Sequence, residues 1–259
     1  MKIAVSGKGG VGKTTISGAL ARFFAKKRFK VLAIDADPNS NLAFSLGISP
    51  LKAEGIIPIS DNADLIEKKT GVKPETYGSV FRLSFRVDDI LENFSIRSPE
   101  NIGLLVMGTV KSPGQGCTCP ANAVVRALLR YLLTRRDEVV IVDMEAGTEH
   151  LGRGTAKSVD AMLIVSEPSL KALETVKRIY NLTKEMGVPR IFIVGNKVTD
   201  QNDVETIVRF CETNEFPLLD LLPYDNIIRK ADIDGTLIGF DSPMMKKIRN
   251  IGEKLLNLT

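Results

Sequence analysis

"KIAVSGKGGVGKTTISGAL", Lys2 to Leu20, decides the fold, and its centre is "GKGGVGKTT", Gly7 to Thr15. The nine residues fit G-x-x-x-x-G-K-[ST] and stand between a short β-branched run and a segment with helical spacing, the strand, loop and helix context that this phosphate-binding motif requires. Gly7, Gly9, Gly10 and Gly12, with Val11 among them, let backbone N–H groups turn toward phosphate oxygens, and the helix that follows offers its positive end to the same charge. Lys13 is spaced to reach the β and γ phosphates, and the hydroxyl of Thr14, followed by Thr15, to ligate Mg²⁺.

Outward from this motif, short apolar runs alternate with longer helical patterns. "KIAVS", "KVLAID", "IGLLVMG", "EVVIVDM", "AMLIVSE" and "RIFIVGN" are continuous apolar segments, as expected of strands buried on both faces. Residues 14–27, 121–134, 172–186 and 204–213 have helix length and spacing. The expected fold class is α/β: a single-domain, doubly wound, mainly parallel sheet with helices on both faces, joined by right-handed crossovers. Between residue 48 and about residue 100, Gly55, Pro58, Gly71, Pro74, Gly78 and Pro99 break the pattern, which predicts an irregular insertion within that one domain.

Composition narrows the function classes. A chain of 259 residues with 44% hydrophobic content can bury one sizeable core, and three cysteines cannot form a disulfide framework. The start "MKIAVSG" passes directly into a strand without a signal-peptide pattern, so a cytoplasmic location is expected. No apolar run approaches the ~20 residues of a membrane span. The net charge of +4 is spread along the chain, and no basic run is interleaved with aromatics, which argues against a nucleic-acid partner.

Acidic residues at strand ends complete a nucleotide site, because ligands of open α/β sheets bind outside the carboxyl ends of the strands. Asp35 and Asp37, in "DADPNSN", follow the second apolar run, and Asp143 ends the fourth, where a Mg²⁺-holding carboxylate acting through water belongs. Gly147 is placed to offer an N–H to the γ phosphate. A loop-capping role is the alternative for Asp35 taken alone.

Lys8, directly after the first glycine, makes "KGGVGKT" resemble the deviant phosphate loop of the MinD and ParA class of ATPases. That resemblance implies ATP and Mg²⁺ as ligands and a homodimer in which Lys8 reaches the partner's nucleotide. It gives catalytic roles to Lys8, Lys13 and Asp37, with Asp37 orienting the attacking water. Asn41 matches the first switch asparagine, Asn196 in "GNK" and Pro223 in "PYD" match adenine-contacting positions, and Asp225 joins the nucleotide-binding set. A solvated surface lysine is the alternative reading of Lys8.

"GQGCTCPAN", residues 114–122, places Cys117 and Cys119 two apart. An i, i+2 pair on a loop can direct two thiolates to one soft metal, yet a closed tetrahedral site needs four. Cys211 shares a helical face with Val204, Ile207 and Val208 and reads as core, and His150 is the one histidine. Two copies of the pair across a two-fold axis would supply four thiolates. Pro120 suits a first helical turn and leaves Cys119 near a helix N-terminus, which favours the thiolate.

"GQGCTCPAN" followed by an apolar helix, then "DMEAGTEHLGRGTA", is similar to the CooC family of ATPases, which mature the nickel site of carbon monoxide dehydrogenase. The similarity implies Ni²⁺ or Zn²⁺ at an inter-subunit site of Cys117 and Cys119, with carbon monoxide dehydrogenase or acetyl-CoA synthase as client. A MinD/ParA-like positioning ATPase and a nitrogenase-type iron protein are the rival readings. For the former, the C-terminal "PMMKKIRNIGEKLLNLT" has a pattern suited either to a membrane surface or to covering the sheet, and the sheet-covering reading is preferred.

Overall fold

A computed structural model of the chain describes residues 1–73, 88–108, 120–135, 137–146, 151 and 153–258. Chain order begins β1 (Lys2–Gly7), α1 (Lys13–Lys26), β2 (Val31–Ala36), α2 (Leu42–Ser45), α3 (Pro50–Glu54), a 3₁₀ turn (Ile59–Asp61), α4 (Ala63–Thr70) and α5 (Asp88–Phe94). Next come β3 (Ile96–Arg97), β4 (Gly103–Val106), α6 (Pro120–Arg135), β5 (Val139–Met144), α7 (Arg153–Ala156) and β6 (Ala161–Ser166). The last third is α8 (Leu170–Glu185), β7 (Ile191–Val198), α9 (Gln201–Thr213), β8 (Leu218–Pro223), α10 (Asn226–Asp234) and α11 (Pro243–Leu256).

The strands form one sheet in the order β3-β4-β2-β5-β1-β6-β7-β8, parallel except for the β3–β4 pair. Their apolar residues divide by the two-residue period of a strand. Leu32, Ile34, Val140, Val142, Met162 and Ile164 face the side covered by α6, α8 and α9, whereas Ile3, Val5, Ala33, Ile141 and Leu163 face α1 and α11. Both faces are therefore dry, which explains the unbroken apolar runs of the central strands.

Six apolar runs are legible in the sequence, but the described sheet has eight strands. β3 has two residues, and β8 is an edge strand, "LLDLLP", only partly buried along most of its length. Asp143 accordingly lies on the fifth strand, and Asp35 lies within β2 rather than after it. Residues 48–100 contain only short elements in their described part, and β3, at their end, joins the main sheet.

The apolar face of α11 is spent inside the protein. Met244, Met245, Ile248, Ile251 and Leu255 are fully buried against α1 and β8, and Gly252 allows the close approach of Phe23, whose ring lies where a Cβ would stand. The sheet-covering reading of this helix is the one the packing supports. Among the described residues, no helix is long and apolar enough to cross a membrane.

Candidate nucleotide site

The loop after β1 has the backbone that its glycines permit. Gly7 has φ 152° and a Cβ there would strike the carbonyl oxygen of Val165, while Gly10 and Gly12 take φ 83° and 96°, which side-chain-bearing residues rarely adopt. α1 starts at Lys13 and carries no acidic residue in its first turn, so its positive end is uncompensated within the helix. The loop is held from β7, two strands along the sheet: Asn196 Nδ2 donates to the Val11 carbonyl at 2.8 Å, and Lys197 Nζ to that of Gly10 at 2.6 Å. Lys197 holds this position from a left-handed backbone, φ 58°.

Three aspartates gather beside the loop, as the sequence predicts. The strand register sets Asp35 directly against Asp143 on neighbouring strands, and both are wholly buried. The Thr14 hydroxyl donates to Asp143 Oδ2 at 2.6 Å and the Ser17 hydroxyl to Oδ1 at 3.1 Å. Burial raises the Asp143 carboxyl to about 6 against the opposing effect of those two hydroxyls. Burial also raises Asp35 to about 7, with the backbone N–H of Leu42 pulling the other way.

Asp35 is the brace of the following loop. Its Oδ2 accepts from Leu42 N at 3.0 Å and its Oδ1 from Asp37 N at 3.2 Å, which fixes both ends of the Asp37–Leu42 segment. The loop-capping alternative is thus the role its contacts describe. Asp37 Oδ1 is held by Asn39 N at 2.9 Å, and its Oδ2 lies 3.6 Å from Lys13 Nζ. Both Lys13 and Asp37 are buried, so this attraction is screened far less than a surface pair.

Beside these groups lies a cavity of about 730 Å³ whose lining includes Gly12, Lys13, Thr14, Asn41, Asn196 and Pro223, with the three aspartates set behind it. Asn41 is exposed at the start of α2, its Nδ2 donating to Asn39 O at 2.9 Å. Asp225 also borders the cavity, but its carboxylate is engaged, accepting from Ile227 N at 2.9 Å as the cap of α10 and from Met244 N at 3.5 Å. The side chain of Lys8 is half-buried and has no partner among the described residues.

The oxygen donors of Thr14 and Asp143, 2.6 Å apart at a helix N-terminus, are the hard ligands that Mg²⁺ takes. Cys117, Cys119, Gly147 and His150 lie outside the described residues. Cys211 is buried on α9, where burial pushes its thiol up to about 11, and it is core, as its helical spacing predicts. Two contributors have no motif letter of their own, Ser17 and Ser6, whose hydroxyl donates to Glu145 O at 2.8 Å, and a third, Lys197, is the last letter of "GNK" without a role of its own there. Ser17 was findable, since it lies three residues after Thr14 and hence on the same helical face.

Residues 2–238 match the family described as the CobQ/CobB/MinD/ParA nucleotide binding domain. The chain is 46% identical over 91% of its length to the carbon monoxide dehydrogenase accessory protein CooC of Rhodospirillum rubrum, covering 88% of that protein. It is 44% identical over its whole length to an ATP-binding protein of Methanocaldococcus jannaschii, covering 98% of it. Among solved structures, a ParA family ATPase from Chlorobium tepidum superposes with a TM-score of 0.70 at 19% identity, over 100% of this chain and 98% of the other. MinD of Aquifex aeolicus, in its complex with MinC, also gives 0.70 at 19% identity, over 99% and 96%.

Proposed function

Because the chain belongs to the CobQ/CobB/MinD/ParA nucleotide-binding family, as an ATPase of the CooC type, we propose that it couples ATP hydrolysis to nickel delivery in the maturation of carbon monoxide dehydrogenase. What carries the client is the reach of the similarity to CooC: identity sustained over nine-tenths of the chain extends far beyond a nine-residue phosphate loop. Acetyl-CoA synthase is the second client of the same chemistry. In this reading two copies of the chain form a homodimer, and Cys117 and Cys119 of each contribute thiolates to one Ni²⁺ or Zn²⁺, the cargo.

The residues divide the work as follows. The loop N–H groups and the start of α1 take the triphosphate, and Lys13 adds a point charge. Lys13 lies 3.6 Å from Asp37, so an incoming phosphate competes with that carboxylate for the same ammonium. With its Oδ1 fixed by Asn39 N–H, Asp37 keeps Oδ2 as the acceptor for the attacking water. Thr14 and Asp143 would hold Mg²⁺, which neutralises phosphate charge when bound. Lys8, whose ammonium has no partner among the described residues, is available to the nucleotide of the other subunit.

The test is metal analysis of the purified protein with and without Cys117→Ser/Cys119→Ser. About one Ni²⁺ or Zn²⁺ per dimer is expected, lost in the double variant while ATP binding persists. Unchanged tight metal binding in that variant, or one metal per monomer without a dimer, refutes the shared site.

A further inference from the structure

Arg22 lies in the C-terminal half of α1, only 4% exposed, and is bonded to two segments remote from it in sequence. Its Nε and Nη2 donate to the two carboxylate oxygens of Glu100 at 3.0 and 2.9 Å, and its Nη1 donates to the Ile238 carbonyl at 2.7 Å. The guanidinium carbon also stands 4.8 Å from the ring centroid of Phe240, with Lys26 Nζ 4.0 Å from the same centroid. Glu100 sits in the turn between β3 and β4, and Ile238 and Phe240 in the loop joining α10 to α11. One side chain therefore ties that loop to α1 and to the sheet.

The same loop is a wall of the nucleotide cavity: Gly235, Thr236, Leu237 and Ile238 line it together with Thr15 and Ser45. Leu237 packs where a Cβ on Gly47 would stand, so the wall also touches the end of the first switch segment. Arg22 follows Lys13 by nine residues, roughly 13 Å of helix rise, so the loop it holds meets α1 well away from the phosphate-binding end of that helix. Phosphate binding uses the other end of α1. Gly235, Thr236 and Gly239 are exposed, so the loop is held inward at Leu237, Ile238 and Phe240, two of which Arg22 contacts.

We propose that Arg22, anchored by Glu100, is a positioning residue that sets the nucleoside side of the ATP cavity by holding the Gly235–Phe240 loop through Ile238 and Phe240. The fork of the guanidinium suits this role, because it satisfies a bidentate carboxylate and a carbonyl at once; a lysine serves one of them. The inference rests on the ATP site described above and deepens it, separating recognition of the nucleoside from recognition of the triphosphate.

The test compares Mg²⁺-ATP with inorganic tripolyphosphate, which shares the phosphates and lacks the nucleoside. Binding of each is measured by calorimetry in the wild type, Glu100→Gln, Arg22→Lys and Phe240→Leu, alongside kcat and KM for ATP. Phe240 is half-buried and its leucine variant keeps an apolar side chain, so one variant perturbs the clamp without removing a buried charge. ATP affinity should fall and KM rise by about three- to tenfold in all three, with tripolyphosphate affinity and kcat within about twofold of wild type. Equal weakening of both ligands, or no weakening of ATP in Phe240→Leu and Glu100→Gln, overturns the proposal. A wild type that binds tripolyphosphate but shows no preference for ATP also overturns it, whereas one that binds neither refutes the underlying ATP site.

Discussion

Asp35→Asn exposes the cost of the buried carboxylate pair. Asp35 titrates in the folded protein near 7 instead of its ordinary 3.8, first because it is buried and also because Asp143 is adjacent. The raised value means that the native state keeps its proton over a range in which the unfolded chain has lost it. The fold is therefore favoured at low pH, and stability from this group falls as the pH rises from about 4 to about 7, then levels off. At roughly 1.4 kcal/mol per pH unit, the loss is about 4 kcal/mol. Asparagine removes the titration. It also presents an NH₂ to one of the two N–H groups that the carboxylate now accepts, a pH-independent cost of about 1–3 kcal/mol. The variant is thus expected to be less stable than wild type near pH 4 and more stable by about 1–3 kcal/mol at pH 8, with the two curves crossing between about pH 4.5 and pH 6. Urea unfolding at pH 4, 5, 6, 7 and 8 measures this, and titrating groups outside the Asp35–Asp143 pair largely cancel in the difference. A stability difference that stays constant over that range refutes the reasoning.

Asp37→Ala should retain ATP binding and lose at least tenfold in turnover, because Lys13 remains for phosphate while the water-facing oxygen is gone; single-turnover hydrolysis beside equilibrium ATP binding checks it, and an undiminished rate reverses the assignment. Gly18→Ala places a methyl 2.5 Å from Ser45 Cβ and 3.1 Å from Ser45 O, so α2 must shift. An overpacking cost of about 1–3 kcal/mol outweighs the gain in helix propensity of up to about 1 kcal/mol, and both the thermal midpoint and ATP turnover should fall. Wild-type turnover in that variant would mean that α2 yields without consequence.

What could be read from the sequence was what leaves a local trace. The phosphate loop did so because its backbone demands glycine at fixed spacing, and the central strands because a sheet covered on both faces admits only apolar residues. Asp35, Asp37 and Asp143 stood out as charges at the ends of such runs. β8 did not, since an edge strand tolerates Asp220 among its leucines; that carboxylate meets Lys247 and Lys254 of α11, at 2.9 and 3.4 Å. Lys197 stands in "GNK", but its role left no local trace because its left-handed backbone and its reach to Gly10 arise from tertiary position. Arg22, read along α1 alone, is an ordinary helix-forming residue, and its partners are 78 and 216 positions away.

The organisation behind these cases is a stripe on α1. Thr14, Gly18 and Arg22 are spaced by four and share a slowly turning face of the helix. Thr14 meets Asp143 on β5, Gly18 meets Ser45 on α2, and Arg22 meets Glu100 and Ile238. The first contact lies beside the phosphate loop, the second at the short helix that follows β2, and the third at a wall of the cavity. α1 is buried along most of its length, with Ile16, Leu20 and Phe24 at 0% exposure. A helix so packed moves as a unit if it moves at all, which makes the distances among the three contacts a fixed property of one element.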